Sequence, residues 1–219
     1  MAIAKSKRVL IVVSYLSDSV DWFNGYNFIE SSGLATVNAL LGDKYSRIEV
    51  LSNSNATKQK FLDKLQIVGS RSTVLAIDVL IFTHGTRKSL IFYKTEGDHN
   101  HKVTIETFKK EISDLNISSK LRLLYSTACF GSSHNQGFIE AGFKTAIGAI
   151  GVNTNSGIEL PIALSMWGLG NKISTAISAG ETGYEATDTI ASFFNSDWNE
   201  ANSEKDIDGR AGIKITSNP

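Results

Sequence analysis

A single cysteine, Cys129, serves all 219 residues. No intrachain disulfide can form, which excludes the disulfide-scaffold class of secreted proteins and suits a reducing compartment. Surplus charge is missing too: Lys plus Arg is 22 and Asp plus Glu is 22. A protein that coats nucleic acid or an anionic membrane needs a basic excess, and the cluster Lys5, Lys7, Arg8 is short. Long apolar runs are also lacking. No segment reaches the length needed to span a bilayer. The run Val9 to Val13 is too short for a signal-peptide core, and Asp18 and Asp21 follow it closely. Together these absences predict a cytoplasmic protein with neither nucleic acid nor membrane as partner.

What is present reads as alternating strands and helices. Val9 to Tyr15, Arg47 to Leu51, Val74 to Phe82, Leu121 to Ser126 and Ala146 to Val152 have strand length and mostly apolar composition. Between them lie amphipathic stretches: Leu34 to Leu41, Thr57 to Ile67, and the run carrying Ile105, Phe108, Ile112 and Leu115. Ser89 to Tyr93 reads as a short strand and Glu96 to Lys102 as an exposed turn. Pro161 is expected in the first turn of a buried helix. Thr182 and Glu185 have capping-box spacing before a last helix ending near Phe194. Asn195 to Asp208 reads as polar and mobile, and Ala211 to Ile215 as a final edge strand. This order predicts one α/β domain over 1–219, with a core at about 8–194, a polar C-terminal segment at 195–219, and a mainly parallel sheet covered by helices on both faces.

Open α/β sheets bind ligands at the carboxyl ends of their strands. Thr83-His84-Gly85-Thr86 follows the third strand, and Ser126-Thr127-Ala128-Cys129-Phe130-Gly131 follows the fourth. Consecutive strands are usually neighbours, so a histidine and the only cysteine are expected side by side at one sheet edge. A thiolate with an imidazole beside it is an arrangement for nucleophilic catalysis. Gly85 lets the backbone approach a substrate, and its N–H with that of Cys129 forms an expected oxyanion hole.

The two segments, VLIFTHG and LRLLYSTACFG, resemble the signature of the caspase-like cysteine peptidases of clan CD. The 45 residues from His84 to Cys129 leave room for a hairpin and one crossover helix. The resemblance implies a three-layer αβα caspase-like fold over about Val9 to Phe194 and no cofactor. It implies His84 as general acid and base, Cys129 as nucleophile and Gly85 as oxyanion donor. The stretch GFIEAGFKTAIGAIGV and the later GETGYEA resemble CHAT domains in particular. Two residues before the nucleophile, caspases carry Gln and metacaspases or legumains an acid, and those side chains line the specificity pocket. Here that position is Thr127, as in the CHAT pattern. An acid for a basic substrate residue then has to come from elsewhere, with Asp18, Asp21 and Glu159 as candidates.

Other classes fit less well. An α/β-hydrolase places its histidine after the nucleophile, and the later histidine, His134, stands only five residues on. A flavodoxin-like nucleotide or flavin binder is suggested by VLIVVSYLSDS, yet neither G-x-G-x-x-G nor G-x-x-x-x-G-K-[ST] is present. His99 and His101 lack a third metal ligand in the sequence pattern. A non-catalytic caspase-like module, acting with a regulatory protein partner or a second copy, stays open beside a peptidase acting on protein or peptide substrates.

Overall fold

The computed structural model describes residues 2–16, 25–94, 96, 100–182 and 201–219. A six-stranded sheet forms its centre. Its strands are β1 (Arg8–Tyr15), β2 (Arg47–Ser52), β3 (Ala76–Thr83), β7 (Leu121–Ser126), β8 (Thr145–Ala149) and β9 (Lys205–Gly209), in spatial order β2-β1-β3-β7-β8-β9. The first five are parallel, and β9 runs antiparallel to β8. A smaller antiparallel sheet, β4 (Gly85–Thr86), β5 (Ser89–Tyr93) and β6 (Asn100–Thr104), lies between β3 and β7 in the chain.

Strands β1, β3, β7 and β8 are buried at every residue, as continuous apolar runs require. Side chains alternate between two cores. Val9, Ile11 and Val13 join Phe61, Phe108 and Phe138 from helices α2 (Lys58–Gly69), α3 (Ile105–Asp114) and α4 (Ser132–Glu140). Leu10 and Val12 face the other way, toward Val37, Leu160 and Ile177 from α1 (Gly25–Leu41), α5 (Ser156–Gly168) and α6 (Ile173–Gly180). The result is the three-layer αβα architecture with a mainly parallel sheet. Thr57 caps α2 and Thr104 caps α3, each hydroxyl accepting a backbone N–H three residues on.

Four local expectations are corrected. Asn100 to Lys102 belong to β6, because a register with β5 claims them. Pro161 is the sixth residue of α5, not in its first turn, so the ring removes the N–H that would bond Gly157. The edge strand is Lys205–Gly209, while 211–215 form turns. Part of the segment expected to be polar and mobile is therefore sheet, held by alternate contacts with β8 rather than by apolar content. Asp21, the capping residue Glu185 and the expected helix to Phe194 lie outside the described residues.

Beneath the sheet, Arg122 and Asp78 form a fully buried ion pair. Tyr45 donates its hydroxyl to Asp78 at 2.6 Å, and Trp167 Nε1 donates to Tyr45 at 3.1 Å. Arg8 and Arg122 both donate to the carbonyl of Ile215, which ties the C-terminal segment under the sheet.

Candidate active site

The register of β3 and β7 sets the site. Ile81 pairs with Ser126, and each candidate residue follows three positions later, His84 after Ile81 and Cys129 after Ser126. The two segments leave the sheet at one level and stay in contact. Thr127 N–H and hydroxyl both donate to the Ile81 carbonyl, at 2.9 and 3.3 Å. A Cβ placed on Gly85 would sit 2.8 Å from the Cys129 carbonyl oxygen and 2.9 Å from the Ala128 Cβ. No side chain fits there, so glycine after His84 is required by the approach itself.

His84 is half-buried, and its Nε2 lies 3.3 Å from the Leu16 carbonyl, just past β1. A carbonyl only accepts, so Nε2 carries a proton. Leu16 is itself held: its N–H donates to Glu30 Oε2 at 3.3 Å, and Ser14 donates to Glu30 Oε1 at 2.7 Å. Thus a buried carboxylate on α1 fixes the backbone that orients the histidine.

Cys129 is half-buried and free of any disulfide. Burial pushes its thiol up from the ordinary value, while the backbone amides of Asn153 and Cys129 and the charge of Lys205 pull it down. Phe130 then turns the chain with φ of 56°, a left-handed conformation unusual for a bulky side chain. The strain is held from several sides. Phe130 N–H donates to Gly151 O at 2.7 Å, Arg87 lies 4.4 Å over the Phe130 ring, and the Ser133 hydroxyl donates to the carbonyls of Arg87 and Phe130. Gly131 packs backbone to backbone on Gly148 of β8, where a Cβ would overlap Gly131.

Of the remaining expected site residues, Thr127 lines a cavity of about 210 Å³ with Ser32, Thr36, Phe82, Gly157 and Leu160. The described lining carries no charged side chain. Glu159 is only 1% exposed and pairs with Lys205 at 2.9 Å, while Tyr125 donates to its other oxygen. Its carboxylate is spent inside the molecule, so the pocket-acid expectation for Glu159 is corrected. Asp18 lies outside the described residues. Sequence reading missed Leu16, Glu30, Asn153 and Lys205. None of them stands in a motif, and only the fold brings them to the site.

No family model matches the chain, and no curated protein matches it at a significant level. Solved structures do. The Arg-specific cysteine proteinase gingipain R superposes with a TM-score of 0.60 at 11% identity, covering 95% of this chain and 47% of its own. The chain therefore spans about half of that protein's length. A secreted C11 cysteine protease from Bacteroides thetaiotaomicron, crystallised with an irreversible peptide inhibitor, matches with a TM-score of 0.49 at 10% identity, covering 82% of this chain and 58% of its own. Among the described residues no helix is long and apolar enough to cross a membrane. The six-stranded, mostly parallel sheet with its antiparallel edge is the caspase-like fold.

Proposed function

We propose that this chain is a caspase-like cysteine endopeptidase that cuts peptide bonds with Cys129 as nucleophile and His84 as general acid and base. One observation carries the reading: the Gly85 backbone seats against the Cys129 carbonyl while the Leu16 carbonyl holds Nε2 of His84. That brings the thiol and imidazole segments together at one sheet edge, with the backbone N–H groups of Gly85 and Cys129 beside them.

The thiol gives its proton to His84 Nδ1, and the thiolate attacks the scissile carbonyl. Gly85 and Cys129 N–H groups take the oxyanion. Imidazolium His84 protonates the leaving amine. The neutral ring then takes a proton from water, which releases the acyl group and restores the thiol. The uncharged cavity beside Thr127 takes the residue before the cut, and favours a medium-sized neutral side chain. The neutral Thr127 fits the CHAT-like pattern, and the cytoplasm is the proposed location.

A second reading is favoured by the buried thiol. With its ionisation resisted by burial, the resting chain is an enzyme awaiting a protein partner, or a binding module. The test is a peptide-library cleavage profile read by mass spectrometry, with Cys129→Ala as control. Cleavage that needs Cys129 supports the peptidase. Cleavage retained in Cys129→Ala overturns it, and no cleavage by either protein favours the second reading.

A further inference from the structure

Lys205 is an unusual residue to find where it is. It opens the edge strand β9, and its side chain is wholly buried. A buried ammonium is costly unless paired and fully hydrogen-bonded. This one pairs with Glu159 Oε2 at 2.9 Å and donates hydrogen bonds to Ser203 O at 2.8 Å and Asn153 Oδ1 at 3.3 Å. Glu159 is held in turn by the Tyr125 hydroxyl, four residues before Cys129.

Asn153 links this cluster to the nucleophile. Its Nδ2 donates to the Thr127 carbonyl at 2.9 Å, two residues before Cys129. The ammonium can only donate and the carbonyl can only accept, so the amide is locked in one orientation. Lys205 therefore reaches the backbone leading to Cys129 through one rigid side chain.

We propose that Lys205 is a positioning residue for Cys129: its buried ammonium, anchored by Glu159, fixes Asn153, which holds the Thr127 carbonyl and so the backbone that leads to Cys129. This rests on Cys129 being the nucleophile. Charges facing the ammonium are Glu159 from α5 and, through the Lys205 backbone N–H, Glu181 from the turn after α6. The neighbouring segment carries His84, after β3, and His134 of α4 stands against Gly85.

The experiment is the pH dependence of alkylation by iodoacetamide. Cys129 is the only cysteine, so the signal has one source. In Lys205→Gln the thiolate midpoint is expected to move up and the rate at neutral pH to fall about tenfold, the effect of one unit. With a cleavable peptide, kcat falls while KM holds. Asn153→Ala cuts the link but keeps the Lys205–Glu159 pair, and is expected to move the profile the same way. It serves if Lys205→Gln does not fold. An unmoved profile in a folded variant overturns the proposal. A moved profile in a protein that cuts no peptide upholds the positioning role and counts against the peptidase.

Discussion

His134 Nε2 lies 2.6 Å from the carbonyl oxygen of Thr86, so a buried imidazole on α4 anchors the strand that starts at Gly85. The ring is neutral with Nε2 as donor, and burial holds it below its ordinary value of 6.5. Above that value neither the folded nor the unfolded ring is charged. As pH falls through it, the unfolded ring takes a proton first, so stability drops and then levels once the folded ring titrates. Urea midpoints from about pH 8 to pH 5 are expected to fall in the native protein and to fall less in His134→Ala. The variant also loses about 1–3 kcal/mol at neutral pH from the lost buried hydrogen bond. Parallel pH profiles for the two proteins speak against the neutral assignment.

Gly85→Ala tests the contact between the two candidate segments. Its methyl would enter a gap bounded by the Cys129 carbonyl and the Ala128 Cβ, so the segments must part. A shift of that kind is expected to cost about a hundredfold in kcat/KM. A urea midpoint close to that of the native protein separates misplacement from unfolding. Full activity in Gly85→Ala means the oxyanion site lies elsewhere.

Thr127→Asp tests the neutral pocket. The native chain is expected to cut after medium, uncharged residues, and the added carboxylate to move preference toward Lys or Arg. Substrate profiling of both proteins checks this. A native preference for a basic residue would point to an acid outside the cavity lining described here.

The pair Asp78–Arg122 tests the base of the sheet. Asp78→Asn leaves a buried guanidinium without its counter-charge, and such a break costs about 3–5 kcal/mol. Removing 213–219 takes away the Ile215 and Ser217 carbonyls that Arg122 and Arg8 grip, so it is expected to destabilise as well. Urea denaturation measures both. The lesion lies at the opposite end of the strands from Cys129, so any activity loss is expected to follow the unfolded fraction.

The parallel strands were legible because burial on both faces demands unbroken apolar runs, as in Ala76–Thr83 and Leu121–Ser126. That the segments bearing His84 and Cys129 follow neighbouring strands was legible because consecutive strands are usually adjacent. Strand β9 was not, since KDIDG has the composition of a loop and is ordered by its register with β8. Lys205 and Glu159 looked like solvated charges, for their partners lie 46 positions apart in the chain. Glu30 and Leu16 act through a carboxylate and a backbone carbonyl, which no residue pattern announces. Pro161 was misplaced because α5 tolerates the lost N–H where packing of its neighbours Leu160 and Ala163 supports the helix.

The place of β9 has a consequence for biosynthesis. A ribosome delivers the chain in order, so His84 and Cys129 emerge long before Lys205 and the segment that Arg8 and Arg122 grip. Until Lys205 leaves the exit tunnel, Glu159 has no ammonium opposite it and Asn153 is held from one side only. The nascent chain thus carries Cys129 in an incomplete setting until Lys205 has emerged behind it.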